Sequence, residues 1–296
     1  MADNNAVVSG NGTVNETTNA GGTEINLTGG TLIGHITTGG YIACGVYHPQ
    51  SGKLTISGDV DIYADGGVGV LMRAGTAEIT GGTITGTGTA AGWVGDNKNA
   101  IPCSGVVYDE AAKYPALASG DKASISGSAV IKATGAGVDS VVVQTSDETK
   151  ESRMEISGGT FSSDVSEYLA DDCVQNANGE VGKLEQVAVA EVVAADGSTT
   201  TKYASLTGAV NAAKDGETVT LLKDVDLGSG YVNIAKKLTL DLNGYTVTGS
   251  NTWVIGVYSD VTINDSSNGQ GKIINSSTSS GTRIAVLAQE NSQDEK

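Results

Sequence analysis

A short phrase that recurs along the chain constrains the fold more than any other feature of the sequence. In each copy an isoleucine or leucine is followed by serine or threonine and then by glycine, in a stretch where apolar and polar residues alternate. The copies are INLTGG at 25–30, LTISGD at 54–59, AEITGG at 77–82, ASISGS at 123–128 and MEISGG at 154–159. Alternation with period two indicates short β-strands, and the recurrence indicates one structural unit built several times.

The copies predict strands that stack directly on one another. A strand that pairs with its counterpart in the next repeat, about 4.8 Å away, brings like residues together. Two sets of side chains follow, namely an internal aliphatic ladder of Ile56, Ile79, Ile125 and Ile156 and a solvent-facing row of Ser57, Thr80, Ser126 and Ser157. The pattern favours an all-β fold, a parallel β-solenoid held together by contacts between neighbouring repeats. An antiparallel β-sandwich, which also consists of short strands and turns, is the alternative.

Composition and charge narrow the classes of function. The chain has 17 basic and 34 acidic residues and a formal net charge of −17. Such a surface repels phosphate backbones, so we expect no nucleic-acid partner. No apolar run reaches the roughly eighteen residues of a transmembrane helix, so we expect no membrane insertion. The first residues, MADNNAVVSGNG, lack the regions of a secretory signal, which suggests a fragment of an exported protein or a protein released without a secretory route.

The three cysteines predict free thiols rather than a disulfide or a metal site. Their spacing, at Cys44, Cys103 and Cys173, matches no metal-binding motif. Cys44 and Cys103 each precede a Gly-Val strand, and a further copy of that strand lies between them. Two strand spacings are about 10 Å, whereas the Cα atoms of a disulfide lie within about 7 Å of each other.

The repeat pattern ends after Phe161, which predicts two modules. Residues 1–20 are interpreted as a flexible N-terminal arm, 21–186 as a first β-solenoid module with a closing hairpin at the turn NANGE, and 187–296 as a second β-solenoid module. One short amphipathic helix is predicted near 203–213, where it caps the second module. Its apolar positions recur at helical spacing, at Tyr203, Leu206, Ala209, Val210 and Ala213.

Several long phrases resemble β-helical repeat proteins of gut Firmicutes surfaces and their phages. ISGGTFSSDVSEYLADD, KYASLTGAVNAAKDGETVTLLKDVDL and KKLTLDLNGYTVTG are similar to modules repeated in large surface proteins of such bacteria. YIACGVYHPQSG and AGWVGDNKNAIPCSGVVYDEAAKYPAL are similar to uncharacterised proteins of these bacteria and their phages. The resemblance implies a right-handed β-helix of the pectate-lyase-like kind and an extracellular or virion-surface location. It implies no activity and no catalytic residues.

Carboxylates are the residues with which β-helical enzymes cleave polysaccharides. The candidates are Asp59, Asp61 and Asp65 near one repeat, and Asp109 with Glu110 on a longer loop. His35 and His48 are the only histidines, and no Gly-x-Ser-x-Gly elbow accompanies them. Because aspartate is also common in turns and on surfaces, we expect structural or solvent-facing roles for these residues. We predict no catalytic residue, no metal site and no cofactor.

The segment from Trp93 to Lys122 departs from the repeat and is the predicted binding site. It brings aromatic side chains together with amide and carboxylate groups, at Trp93, Asp96, Asn97, Tyr108 and Tyr114. Long loops on a rigid scaffold commonly carry function, and aromatic faces flanked by polar groups suit sugar rings. The alternative is that Trp93 and Tyr108 seal the fold where the repeat bulges, or form a subunit contact.

Together these features predict a non-enzymatic, extracellular, structural or adhesive β-solenoid. The leading interpretation is a phage virion fibre or receptor-binding protein, of the head-fibre or tail-associated kind, on the virion surface. Its expected partners are host surface glycans or another host receptor, other virion proteins, and further copies of itself, for example in a trimer. The alternatives are a fragment of a bacterial cell-surface adhesin and a β-helix polysaccharide lyase or glycoside hydrolase.

Overall fold

The structure, a computed structural model, describes residues 5–8, 23–35, 42–49, 52–88, 92–93, 100–109, 120–144 and 152–289. It is predominantly β, with parallel sheets. The chain forms two compact units, which are Met1–Cys173 with Gly179–Gly182 and Val174–Asn178 with Lys183–Lys296. In the part of the chain that the structure describes, no helix is long and apolar enough to span a membrane.

Short strands make up almost all of the regular structure in the first unit. In chain order they are β1 (Asn5–Val8), β2 (Thr23–Leu27), β3 (Thr31–His35), β4 (Ala43–His48), β5 (Gly52–Ile56), β6 (Asp61–Asp65), β7 (Gly67–Met72), β8 (Thr76–Ile79), β9 (Thr83–Gly86), β10 (Gly92–Trp93), β11 (Ala100–Ile101), β12 (Val106–Asp109), β13 (Ala123–Ile125), β14 (Val130–Ala133), β15 (Val141–Gln144), β16 (Met154–Ile156) and β17 (Gly159–Phe161). A 3-10 helix (Ser166–Tyr168) follows, and then β18 (Cys173–Gln175) and β19 (Glu180–Lys183), of which Val174, Gln175 and Lys183 belong to the second unit.

The strands of the first unit enter three parallel sheets in a fixed rotation. The sheet orders are β1-β4-β7-β12-β15 for the first sheet, β2-β5-β8-β13-β16 for the second and β3-β6-β9-β14-β17 for the third. Each strand therefore pairs with its counterparts in the neighbouring repeats. The sandwich alternative is wrong, because these pairings are parallel. An antiparallel pairing of β17 with β19 follows the last repeat.

The predicted aliphatic ladder is confirmed. Ile56 pairs with Ile79, Ile79 with Ile125, and Ile125 with Ile156, and all four side chains are fully buried. Two further rows of paired residues share one core with this aliphatic ladder. The first sheet contributes Val46, Val70, Val106 and Val141, and the third sheet contributes Ile62, Ile84, Ile131 and Phe161. The serine or threonine after each isoleucine is partly or fully exposed, as expected.

The Gly-Val motif of the first sheet has a packing cause. A Cβ atom on Gly45, Gly69 or Gly105 would lie 2.4–2.6 Å from an isoleucine side chain of the third sheet. Glycine at these positions lets the two sheets approach closely. The first sheet is also buried on its other face, where Cys44, Tyr47, Val68, Leu71 and Val107 cluster with Ile42 and Ile101. This double burial explains the continuous apolar runs of the motif.

The cysteines agree with their predicted state. Cys44 and Cys103 are buried free thiols, and Cys173 is a partly buried free thiol. Burial raises the pKa of both Cys44 and Cys103, which disfavours the thiolate form and its reactivity.

The turns that follow the strands of the second sheet contain glycine in two arrangements. In the copies with one glycine, that glycine has a positive φ, 64° at Gly58 and 63° at Gly127. In the copies with two glycines, the positive φ falls on the second one, at Gly30, Gly82 and Gly159. Only glycine adopts this conformation at little cost. Space is also limiting at Gly127, because a Cβ atom there would lie 2.3 Å from the Thr80 carbonyl oxygen.

Two features of the first unit differ from the simple repeat. The residues Asn5–Val8, inside the predicted flexible arm, form β1 and pair with β4. The arm prediction therefore does not hold for these four residues, because they hydrogen-bond into the first sheet. After β9 the chain forms an antiparallel pair, β10 with β11, before it returns to the first sheet at β12.

The second unit contains two helices and further short strands. They are α1 (Leu184–Val187), β20 (Ala190–Val193), β21 (Thr200–Tyr203), α2 (Leu206–Ala212), β22 (Thr218–Leu221), β23 (Val225–Asp226), β24 (Val232–Ile234), β25 (Leu238–Asp241), β26 (Thr246–Gly249), β27 (Trp253–Val257), β28 (Val261–Asn264), β29 (Lys272–Asn275) and β30 (Ile284–Ala288). The rotation through three parallel sheets recurs, in the orders β22-β25-β28, β23-β26-β29 and β24-β27-β30. An antiparallel pair, β21 with β20, covers the edge of β22.

The predicted helix is confirmed, although it is shorter than 203–213. It begins after Ser205, whose hydroxyl accepts a hydrogen bond from the Gly208 N–H at 3.0 Å. Leu206, Ala209 and Val210 are buried in the core of the second unit. Helix α2 contacts β20, β22 and β24, so it covers the first repeat of this unit.

A substitution that leaves a cavity in the aliphatic ladder tests whether its side chains are buried. Replacement Ile125→Ala removes a fully buried side chain between Ile79 and Ile156. We expect it to lower the free energy of unfolding by about 2–5 kcal/mol, measured by urea denaturation followed by circular dichroism. The matched control is Ile33→Ala, since Ile33 is 58% exposed and its loss should change stability by about 0.5 kcal/mol or less. Equal effects of the two replacements would contradict the inward placement of Ile125.

Alanine at the corner glycines tests the turn geometry. Gly127→Ala forces a Cβ atom against the Thr80 carbonyl at a positive φ, so we expect a loss of about 1–3 kcal/mol in the free energy of unfolding. Gly29 occupies the same place in its copy of the motif, but its φ is ordinary and a Cβ atom there would meet no heavy atom within 4 Å. Gly29→Ala should therefore leave stability unchanged or raise it slightly.

Candidate functional site

The structure describes only part of the binding site that the sequence predicts. Trp93 lies in β10, where its backbone pairs with Ala100. Asp96, Asn97 and Tyr114 lie outside the described residues. For these positions the role in ligand or subunit contact stays a prediction.

Tyr108 is not a surface residue, which corrects its predicted role in binding. Its side chain is 0% exposed and belongs to the core of the first unit. The phenolic hydroxyl donates a hydrogen bond to the Gly75 carbonyl at 3.3 Å. The alternation of β12 turns Tyr108 toward the same core as Val106. Its role is therefore the alternative one, packing inside the fold.

Beside Tyr108 lies a buried polar cluster, which we call the strand-end cluster. It consists of His48, Arg73, Asp109 and Asp121, all buried. His48 and Asp109 are the last residues of β4 and β12, and Arg73 directly follows β7. Adjacent strands of one parallel sheet therefore carry these groups to the same edge. The sequence pattern predicted a loop position for Asp109, whereas it is 2% exposed at a strand end.

Hydrogen bonds and one ion pair connect the strand-end cluster. Arg73 Nε lies 3.4 Å from Asp109 Oδ2, and an Arg73 guanidinium N–H donates to the Tyr47 hydroxyl at 3.2 Å. The Arg73 backbone N–H donates to the His48 carbonyl at 2.9 Å. A buried ion pair is sensitive to the loss of either partner. The cluster therefore holds three strand ends in a fixed arrangement.

The His48 imidazole is biased toward its neutral form. Burial lowers its pKa below the usual value of 6.5 and outweighs two opposing contributions, a hydrogen bond with the Gly52 backbone and the Asp121 charge. Its side chain is almost completely inaccessible to solvent. A substrate therefore has no direct contact with this histidine, and its role is structural.

The other candidate carboxylates of the first unit lie on the surface. Asp59 and Asp61 are exposed, and Asp65 is partly exposed. Asp65 Oδ2 lies 2.7 Å from His35 Nδ1, and both side chains are about half exposed. No group of three or more histidine, cysteine or acidic side chains among the described residues is arranged to hold a metal ion.

Carboxylates at the corners of the second unit bind the backbone. Asp265 accepts hydrogen bonds from the N–H groups of Gly244 and Gly271, both at 2.8 Å, and from the Ser267 hydroxyl at 2.6 Å. These hydrogen bonds lower the pKa of Asp265, the Ser267 hydroxyl contributing most. Asp241 similarly accepts from the N–H groups of Asn243 and Ser266. Both carboxylates stabilise turns between repeats.

Exposed aromatic side chains form a different candidate site, on the second unit. Tyr231 directly precedes β24 and Trp253 begins β27, which pairs with β24. The two ring centroids lie 5.1 Å apart and the ring planes are tilted by 52°. Tyr231 is 44% exposed, and Trp253 is partly exposed. We call this pair, with Asn233 and Tyr258, the aromatic surface.

A hydrogen bond and a glycine position the members of the aromatic surface. The Trp253 indole N–H donates to Asn233 Oδ1 at 3.3 Å. A Cβ atom on Gly256 would lie 2.5 Å from Asn233 Oδ1, 2.9 Å from Tyr258 Cε2 and 3.2 Å from Trp253 Nε1. The three side chains therefore converge above a residue that has no side chain of its own.

Sequence reasoning missed the aromatic surface, although a signal for it was present. Tyr231 and Trp253 are 22 residues apart, and so are Val225 and Val247, which pair between neighbouring repeats of the same unit. Aromatic residues separated by about one repeat length fall close together in neighbouring repeats. The predicted binding residues followed the irregular segment instead of the repeat.

Comparisons with known proteins assign no family or function to the chain. Nothing matches the chain among protein-family models, curated proteins or solved structures. The resemblance to surface proteins of gut Firmicutes and their phages therefore stays a prediction. We therefore base the proposed function on the structure of the chain.

The burial of His48 predicts a loss of stability at mildly acidic pH. Because the folded state lowers its pKa, the unfolded chain binds more protons once the pH falls below about 6.5. The stabilisation is therefore complete above the unfolded pKa and is lost as the pH falls toward the folded one. We expect the midpoint of thermal unfolding to fall between pH 7 and pH 5 in the wild type and to fall less in His48→Gln. A wild-type slope in His48→Gln would contradict the assignment of this pH dependence to His48.

Proposed function

We propose that each unit is a right-handed parallel β-helix and that the protein is a non-enzymatic structural or adhesive component of a surface. The support for the fold is the fixed rotation of strands through three parallel sheets, which recurs in both units. The in-register pairing of like residues, such as Ile79 with Ile125, is what consecutive turns of a β-helix require.

The observation that carries the proposed function is the uniformity of this core. In the first unit, each repeat contributes apolar side chains from all three sheets to a continuous interior. Such a fold grows by adding repeats without a new core, because every repeat contacts only its neighbours. A protein built this way serves as a stiff spacer that presents side chains on its outer faces.

We place this spacer on a phage virion, as a fibre or receptor-binding protein that contacts host surface glycans. The net charge of −17 disfavours binding to nucleic acid, and an exposed aromatic pair on a rigid sheet suits a sugar ring. A bacterial cell-surface adhesin would have the same physical features, and a polysaccharide lyase or glycoside hydrolase would need carboxylates that converge on the substrate.

A combined binding and cleavage assay separates these functions. We expect the full chain to bind host-surface polysaccharides, capsular or mucin-derived, and to release no new reducing or unsaturated ends during prolonged incubation. Release of such ends would overturn the non-enzymatic assignment. Immunogold labelling with antibodies against the chain should decorate virions, and labelling of bacterial cells alone would identify an adhesin instead.

A further inference from the structure

The aromatic surface of the second unit has the composition of a carbohydrate site. It combines two ring faces, from Tyr231 and Trp253, with an amide and two phenolic hydroxyls. An aromatic face packs against the C–H groups of a pyranose ring, and the adjacent polar groups bind its hydroxyls and fix its orientation. A tilt of 52° between the rings leaves two non-parallel faces for such contacts.

The hydrogen bonding of Asn233 leaves a donor for a ligand. Its Oδ1 accepts from the Trp253 indole, which orients the amide nitrogen away from that ring. In the described part of the chain this nitrogen donates no hydrogen bond, and the hydroxyls of Tyr231 and Tyr258 make none either. A sugar hydroxyl both donates and accepts, so it complements an amide N–H and a phenolic oxygen.

We infer that Tyr231, Trp253, Asn233 and Tyr258 form a binding site for a neutral glycan. The inference rests on the proposed function, for which it names the ligand class and places the site on the second unit. Neutrality follows from charge, since the site residues are uncharged and the chain carries a net charge of −17. Sialylated, uronic or sulfated glycans are repelled by such a protein.

The support beneath the site is rigid, which favours recognition of a defined ring. Tyr231 directly precedes β24 and Trp253 begins β27. The paired residues of these strands, Val232 with Ile255 and Ile234 with Val257, are buried except for the partly buried Val257. Gly256 leaves the space into which three of the site's side chains converge. Preorganised side chains lose little conformational entropy on binding.

Affinity electrophoresis of the full chain through gels that contain one polysaccharide each tests the inference. The probes are dextran, mannan and laminarin as neutral glycans, and hyaluronan and heparin as anionic ones. We expect retardation by at least one neutral polysaccharide and by neither anionic one. Trp253→Ala and Tyr231→Ala should each weaken this binding at least tenfold, and Trp253→Phe, which keeps a ring but loses the indole N–H, should weaken it less.

Two further variants make the result specific to this surface. Trp93→Ala removes the other tryptophan of the chain, in the segment where sequence reasoning placed the site, and it should bind as the wild type does. Gly256→Ala keeps every site residue but crowds them, and it should weaken binding severalfold. Circular dichroism checks that each variant is folded, and Tyr231→Ala and Gly256→Ala provide the result if Trp253→Ala does not fold.

The outcomes that overturn the inference differ from those that overturn the proposed function. Wild-type affinity in folded Trp253→Ala and Tyr231→Ala, or loss of binding in Trp93→Ala alone, overturns this site and leaves glycan binding by the protein intact. Failure of the wild type to bind any host-surface or test polysaccharide overturns both. Self-association of the wild type that Trp253→Ala abolishes, without glycan binding, assigns the surface to a second copy of the chain instead.

Discussion

Parallel pairing of each strand with its counterpart in the next repeat is the interaction on which the rest of the structure depends. It fixes the register, so that Ile56, Ile79, Ile125 and Ile156 meet in one buried row. Hydrogen bonds alone do not select this register. A slip by one residue would turn every isoleucine of the row to the outside and every serine or threonine to the core. Burial of the aliphatic row therefore selects the pairing that the hydrogen bonds then hold.

The same stacking explains where polar groups are tolerated inside the first unit. A strand end that meets a buried corner leaves polar groups that need partners. His48, Arg73 and Asp109 lie at such ends, where Arg73 forms an ion pair with Asp109 and its backbone N–H donates to the His48 carbonyl. In the second unit, Asp241 and Asp265 have the same role, as carboxylates that bind N–H groups of the turns. These charged residues thus lie at the corners of the fold, whereas the inward-facing rows of the first unit are apolar.

The function that we propose depends on the side chains that the sheets present on their outer faces. In the first unit, the side chains of all three sheets fill the interior. The inferred glycan site consists of outer side chains from two neighbouring repeats, held by the paired strands beneath them. Repetition therefore positions the inferred site as well as stabilising the fold, because it sets two rings side by side in neighbouring repeats.

The sequence by itself determined the strands, the parallel stacking, the isoleucine row, the free thiols and the position of helix α2. All of these follow from local signals, namely alternation, a recurring phrase and helical spacing. Only the tertiary structure decided that Tyr108 and Asp109 are buried and that Tyr231 and Trp253 share an exposed face. The physical reason is that exposure depends on which strands and segments cover a residue. Those neighbours are distant in the chain, and they become known only when the repeats are stacked.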